Sequence, residues 1–263
     1  MAAMTSDPTE RSRPAQRQAE IFEHVLQHGS VSANELAELF HVSLMTIHRD
    51  LDELERQGVV RKHRGGVSAQ PSSVFESNVS YRLRAARAEK IAIAQKARQL
   101  IEPGMAIMLD DSTTTLELAR LLEDAAPITV MTNFLETIKL LSTIRGVRLL
   151  ALGGDYFPTH DSFLGVPCID AIEALRVDML FASTSAVSGG YTYHQEQEIV
   201  LVKRAMIRAA QRSVLMVDHT KMGRVALHRL APLSDIDLVI TDSQASPESL
   251  VEMRENGVRY EIA

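Results

Sequence analysis

Val31-Ser-Ala-Asn-Glu-Leu-Ala-Glu-Leu-Phe-His-Val-Ser-Leu-Met-Thr-Ile-His-Arg-Asp-Leu-Asp-Glu-Leu-Glu-Arg-Gln-Gly58 holds two short amphipathic helices joined by a tight turn at His41-Val42-Ser43. Ser32 stands three residues before Glu35, the spacing at which a hydroxyl and a carboxylate satisfy each other's backbone N–H groups at a helix start. Ala33, Leu36, Ala37 and Phe40 then fall on one face. Ser43 caps the second helix, whose apolar stripe is Ile47, Leu51 and Leu54. Leu44, Met45, Thr46, His48 and Arg49 are left pointing outward along its first turns. A helix buried on one side and carrying short polar and basic groups on the other fits a DNA major groove. The alternative is a helical hairpin used only for packing. Against it, Gly58-Val-Val-Arg-Lys-His-Arg-Gly-Gly-Val67 follows at once, a glycine stop, a short strand and a basic glycine turn that reads as a wing. The candidate DNA contacts are Ser43, Leu44, Met45, Thr46, His48 and Arg49 on the helix, and Arg61, Lys62, His63 and Arg64 on the wing.

The remainder of the chain sets this head in context. Its 263 residues give room for two domains, and 45% apolar residues supply real cores. The net charge of −6 opposes DNA binding only until its distribution is read. Residues 1–88 carry 11 basic and 11 acidic residues, with the cations gathered on the second helix and wing, while the remainder carries 17 basic and 23 acidic. One cysteine, Cys168, excludes an internal disulfide, and with no spanning apolar run or signal-peptide core the expected location is cytoplasmic. Cys168 has no basic neighbour in sequence, which argues against a catalytic thiol. The nine histidines lack metal-ligand spacing and no G-x-G-x-x-G follows a strand, so neither a metal nor a dinucleotide cofactor is expected.

Along the chain, residues 1–14 read as a disordered arm and 15–68 as an all-α winged helix-turn-helix whose first helix carries Ile21, Phe22, Val25 and Leu26. Residues 69–80 read as a linker and 81–263 as a second domain opening on Tyr81–Leu100, a stretch rich in helix formers. Beyond Pro103 apolar runs (105–109, 128–131, 147–152, 179–182, 214–217, 238–240) alternate with helical stretches (114–122, 135–141, 199–210, 248–256). That alternation predicts an α/β domain with a largely parallel sheet covered on both faces.

Ligands in such sheets collect at the carboxyl ends of the strands, and the polar clusters fall there. Leu109-Asp-Asp-Ser-Thr-Thr-Thr115 follows a strand and opens a helix, an arrangement that serves as an anion cradle or as a plain N-cap cluster. Met131-Thr-Asn-Phe134 and Leu152-Gly-Gly-Asp155 add Thr132, Asn133, Gly153 and Gly154. Ser183-Thr-Ser-Ala-Val-Ser-Gly-Gly190 is small and polar. Tyr191-Thr-Tyr-His-Gln-Glu-Gln-Glu-Ile-Val-Leu-Val-Lys203 offers Glu198 and Lys203, and Val217-Asp-His-Thr-Lys-Met-Gly-Arg224 offers Lys221, a mobile point charge suited to a phosphate.

From about Arg17 to Asp242 the chain resembles the DeoR family of bacterial sugar-responsive transcription regulators. The likeness is carried by Thr46-Ile-His-Arg-Asp-Leu51, Glu53-Leu-Glu-Arg-Gln-Gly58 and Arg61-Lys-His-Arg-Gly-Gly-Val67. The family usually has two arginines where His48-Arg49 stands and a histidine where Arg64 stands. The resemblance makes Tyr81–Leu100 the lead helix of the second domain and implies that 81–263 is an effector-sensing and oligomerisation domain. It further implies an isomerase-like (phosphosugar isomerase or CoA-transferase-like) effector domain that takes a phosphorylated sugar, with Asp110, Ser112, Thr113, Thr114, Thr115, Thr132, Asn133, Gly153, Gly154, Glu198, Lys203 and Lys221 as effector contacts. In the family loop, Asp-Ser-Gly-Thr-Thr, a glycine occupies the place of Ser112; if that position needs positive φ, Ser112 is strained or the loop is shaped differently. The family Glu lies four residues before the Lys, where this chain has Ile199, and Glu198 lies one further back.

The expected function is therefore a sequence-specific, homo-oligomeric (dimer or tetramer) repressor of a carbohydrate-catabolism operon, released from duplex operator DNA by a phosphorylated sugar. It is expected to be no enzyme and to have no catalytic residue and no membrane partner. The alternatives are a sugar-phosphate isomerase-like enzyme with a DNA-binding head, using Asp110, His194, Glu198 and Lys221 as acid and base, and an architectural DNA binder without effector.

Overall fold

The computed structural model describes residues 8–69 and 79–263. The chain divides into two compact units, Met1–Ala85 and Ala86–Ala263.

In the first unit α1 (Pro8–His28) leads through β1 (Ser30–Val31) into α2 (Ala33–Leu39) and α3 (Leu44–Arg56). The hairpin of β2 (Val60–His63) and β3 (Gly66–Ala69) follows, and then α4 (Val79–Arg82). The expected capping box is present: Glu35 N–H donates to Ser32 Oγ at 3.1 Å and Ser32 N–H to the Glu35 carboxylate at 3.5 Å. Ile21, Phe22 and Val25 of α1, Leu36 of α2 and Ile47, Leu51 and Leu54 of α3 close one core with Val60 and Val67 of the hairpin. The head is not all-α, however. β1 pairs with β3 and β3 with β2, giving a three-stranded antiparallel sheet. Two residues before a capping serine are too short a run to announce a strand.

Two boundaries also differ from expectation. The arm expected over 1–14 is helical from Pro8. Proline in an opening turn removes an N–H that has no partner anyway, and Glu10, Arg11 and Arg13 are good helix formers. Residues 1–7, and 70–78 of the expected linker, lie outside the described residues. The single helix expected over Tyr81–Leu100 is broken at Ala86, which adopts the left-handed conformation at φ +48°. The piece before the break folds with the head: the Tyr81 ring meets Phe22 edge-on at 5.1 Å, and Arg84 donates to Gln57 Oε1 at 3.0 Å.

The second unit begins with α5 (Arg87–Arg98), β4 (Ala106–Leu109), α6 (Thr113–Ala119), β5 (Ile128–Thr132), α7 (Leu135–Leu141) and β6 (Val147–Ala151). A hairpin of β7 (Asp155–Phe157) and β8 (Ser162–Leu164) leads to α8 (Val166–Glu173), β9 (Val177–Ala182), β10 (Ala186–Ser188) and β11 (Tyr191–His194). Then come α9 (Gln197–Ala209), β12 (Ala210–Met216), β13 (His228–Pro232), β14 (Leu238–Thr241), α10 (Pro247–Glu255) and β15 (Tyr260–Ile262). Seven strands form one sheet in the order β15-β14-β12-β9-β4-β5-β6, with every pair parallel. Alternate residues serve opposite faces, as strand geometry requires. Ile107 and Leu109 enter a core with Ile93 of α5 and Leu118 of α6, whereas Met108 enters a second core with Cys168 of α8 and Met206 of α9. The order reverses between β4 and β9: later strands add outward from β4 on one side and from β9 on the other. The loops leaving those two strands therefore diverge, opening the crevice in which doubly wound sheets hold ligands. Among the described residues no helix is long and apolar enough to cross a membrane.

Candidate DNA-reading and effector sites

In the head, Ser43 caps α3 by accepting the Thr46 N–H at 3.1 Å, and its Oγ lies 2.8 Å from Thr46 Oγ1. Leu44, Met45, His48 and Arg49 are exposed, as are Arg61, His63 and Arg64 on the wing. Arg49, Arg61 and Arg64 make no ion pair among the described residues. Lys62 is held differently from the other cations: its ammonium pairs with Asp52 and lies 3.8 Å from Glu55, and its N–H donates to the Glu55 carboxylate at 2.9 Å. These contacts tie β2 to α3. His63 bonds Ser30 Oγ at 3.2 Å. On the inner side of α3, buried Asp50 pairs with Arg17 of α1 at 2.6 Å and accepts from Gln18 at 3.0 Å. The turn before α3 passes through His41 at φ +53°, a conformation that suits glycine better.

In the second unit, the loops after β4 and β9 and the helix α9 meet at one carboxylate. Asp110 Oδ1 accepts from Ser112 N–H at 3.0 Å and from the Thr115 hydroxyl at 3.1 Å. Its Oδ2 accepts from Ser183 N–H at 2.7 Å and from the Lys203 ammonium. Two backbone N–H groups and the Lys203 ammonium are thus committed to the buried Asp110 carboxylate, while the single Thr115 hydroxyl proton is shared among Asp110 Oδ1, Asp110 O and Ser112 O. Lys203 is similarly committed, donating also to Ser183 O at 3.0 Å and lying 3.3 Å from Asp111. Both residues were read as effector contacts; the structure places them in a clamp joining the loops on either side of the crevice. Asp111 was missed, although the doubled acid after a strand was visible in the sequence.

Ser112 has φ −90°, caps α6 through the Thr115 N–H at 3.1 Å, and is not strained. The position does not take positive φ in this chain: it is an extended N-cap, which serine favours. Thr113, Thr114 and Thr115 are buried on the first turn of α6. Thr132 Oγ1 accepts the Phe134 N–H at 3.2 Å, and Asn133 Nδ2 donates to Phe163 O at 2.9 Å. Gly153 is open, but a Cβ on Gly154 would lie 2.2 Å from Leu164 O, so Gly154 serves the close approach of the β7–β8 hairpin. Glu198 is exposed on the first turn of α9 and lines a 160 Å³ cavity with Glu196, His160 and Phe157. Lys221 is loosely held, its Nζ 3.5 Å from Ser183 Oγ and 3.9 Å from Asp218. Burial pushes the Asp218 carboxyl up, but the Lys221 charge, hydrogen bonds from Thr220 and the charge on Lys90 outweigh it and hold it below the ordinary aspartate value.

Three buried oxygens at this edge, Thr114 Oγ1, Asn133 Oδ1 and Ser162 Oγ, have no hydrogen-bond partner among the described residues. Ser162 carried no signal in the sequence, because the hairpin returns it beside Phe134 from far along the chain. Cys168 is fully buried and its thiol is pushed up to about 12 by desolvation and the Asp111 charge. Among the described residues no cluster of His, Cys, Asp and Glu is arranged to hold a metal ion.

Residues 17–73 match the family described as the DeoR-like helix-turn-helix domain, and residues 85–243 match the DeoR C terminal sensor domain. The chain belongs to the DeoR family. A relative in Escherichia coli O157:H7, whose name assigns it to the aga operon as a transcriptional repressor, is 34% identical over 93% of this chain and 92% of its own. The glycerol-3-phosphate regulon repressor of Escherichia coli K12 is 31% identical over 95% of this chain and 99% of its own. Among solved structures, the translation initiation factor eIF-2B of Pyrococcus horikoshii aligns with a TM-score of 0.47 at 12% identity, covering 87% of this chain and 88% of that one. A ribose 5-phosphate isomerase of Methanocaldococcus jannaschii aligns with a TM-score of 0.39 at 16% identity, covering 52% and 55%. This DeoR-family chain is thus a transcription regulator with a DNA-binding head and a sensor domain.

Proposed function

We propose that this regulator is a cytoplasmic homo-oligomeric repressor of a carbohydrate-catabolism operon that leaves its operator when a phosphorylated sugar occupies the crevice between β4 and β9. The observation that carries the effector half is the set of buried, unpartnered oxygens at Thr114, Asn133 and Ser162. A buried hydroxyl or amide without a partner is costly, and a polyhydroxylated ligand removes that cost. Lys221, loosely held at the same edge, supplies the phosphate charge that Lys203 cannot, since Lys203 is neutralised by Asp110 and Asp111. Thr132, Asn133 and Gly153 border the sugar. A relative is named the glycerol-3-phosphate regulon repressor, after a regulon called for a phosphorylated three-carbon compound, and that name supports the same class of effector.

The head binds through Ser43, Leu44, Met45, Thr46, His48 and Arg49 in the major groove, with Arg61, His63 and Arg64 of the wing on the backbone and Lys62 positioning the wing. Paired heads engage two half-sites. The effector releases them by binding the low-affinity arrangement more tightly than the DNA-bound one, and its power to induce is set by that ratio. The site recognises its ligand without turning it over, because Asp110, the most buried acid in the crevice, is ion-paired with Lys203 and held by two backbone N–H groups rather than free to take a substrate proton.

Thermal unfolding of the full chain with matched pairs of sugars and sugar phosphates tests this reading, followed by release of a promoter-region duplex in a gel shift. Stabilisation and release by at least one phosphorylated sugar, and by neither its unphosphorylated partner nor inorganic phosphate, is the expected result. Indifference to every phosphorylated three- to seven-carbon sugar overturns it.

A further inference from the structure

We infer that Met45 selects thymine at one position of each operator half-site by packing its thioether side chain against the thymine 5-methyl group. The inference rests on the DNA-reading role proposed for α3. Met45 is the second residue of that helix and is 74% exposed, whereas the stripe of Ile47, Leu51 and Leu54 is buried. An apolar side chain so exposed at the leading turn of a reading helix gains by covering apolar surface on its target.

The two hydroxyls beside it, Ser43 Oγ and Thr46 Oγ1, are turned toward each other at 2.8 Å rather than outward, and Ser43 also holds the Thr46 N–H. Leu44 lines the cleft between α2, α3 and the wing with Ala33 and Leu51. Met45 is left as the outermost reader, and the apolar feature that a base pair presents in the major groove is the thymine methyl. The surrounding charge favours the approach. Arg49, one turn on along the same face, has no ion pair among the described residues. Asp52, the acid that shares this face, is neutralised by Lys62 of the wing. Methionine's flexible, polarisable chain suits contact with a single methyl group without fixing the rest of the base pair.

The test uses the full chain and the duplex it enriches from a randomised pool. That duplex is resynthesised with deoxyuridine at each thymidine in turn, which removes one methyl and leaves pairing intact. One thymine per half-site is expected to matter, its substitution weakening binding about fourfold, the worth of one buried methyl. Met45→Ala is expected to weaken binding to the parent duplex by at least that factor and to be indifferent to deoxyuridine at that position, while its unfolding midpoint stays that of the parent. Met45→Leu, which keeps apolar contact, is expected to retain sensitivity there. An enriched duplex insensitive to deoxyuridine throughout, or a Met45→Ala chain that keeps the penalty, overturns this inference and leaves the DNA-reading role standing. Failure to enrich any duplex overturns both.

Discussion

Replacing Lys203 by methionine removes a charge and leaves the carbon chain in place. In the parent the ammonium is 4% exposed and lies against Asp110, 0% exposed, and Asp111, 3% exposed. Without it two carboxylates are left in a buried site with no cation beside them. Removing one partner of a buried pair costs about 3–5 kcal/mol, most of it the burden of the stranded charge. For a unit the size of Ala86–Ala263 each kcal/mol moves the midpoint by roughly 2–4 °C, so the sensor transition is expected to fall by about 6–20 °C. Calorimetry of the full chain reads this directly, since the head supplies a separate transition as a control. The double variant Asp110→Asn/Lys203→Met is expected to lose clearly less than the sum of the two single changes, because the stranded charge on Asp110 is gone. A Lys203→Met protein that melts within about 2 °C of the parent and loses only its response to sugar phosphates would refute the clamp and make Lys203 an effector contact after all.

Four other outcomes follow from the same geometry. Arg49→Ala is expected to weaken duplex binding with no change in unfolding and to lower the slope of log affinity against log salt by about one, measured by titration across salt concentrations. Lys221→Ala is expected to keep operator affinity within about twofold while abolishing release by sugar phosphates, since the loosely held Lys221 ammonium is the proposed partner of the phosphate; persistent release in the gel shift counts against it. His41→Gly is expected to raise the midpoint of the head by about 2–4 °C, the relief of a left-handed residue at φ +53° partly offset by the added freedom of glycine in the unfolded chain. The Cys168 thiol, pushed up to about 12, is expected to resist alkylation at pH 8 until the chain unfolds. Because its folded value lies above its unfolded one, its share of stability is complete below the ordinary thiol range and erodes as pH rises towards 12, which urea titrations at pH 8 and 10.5 detect.

The head was legible because its determinants are local. Ser32 and Glu35, Ser43, and the Ile47-Leu51-Leu54 stripe each act over four residues or fewer, so one stretch specifies two helices and their turn. The wing's strands were less visible, because β1 is made by pairing with β3 rather than by its own two residues. In the sensor, buried apolar runs announced six of the seven sheet strands, and β15 was lost because Tyr260–Ile262 alternates with an acid at the edge. The sequence also located the crevice, since polar residues follow each strand. It did not reveal which of those residues are committed to one another. Asp110 meets Lys203 across 93 positions, and sequence spacing carries no record of such a meeting. Ser162 stayed hidden for the same kind of reason, its place beside Phe134 being set by the hairpin's return, and that return also brings Leu164 O against Gly154.

The Asp110–Lys203–Ser183 lock has a practical reading for anyone who wishes to build a biosensor on this scaffold. A crevice whose two lips are pinned by the protein itself is a fixed frame, and under the proposed reading new specificities are to be sought on its other margin, at Thr132, Asn133, Gly153 and the hairpin around Ser162. Libraries that randomise the lock itself would be populated mainly by proteins that do not fold.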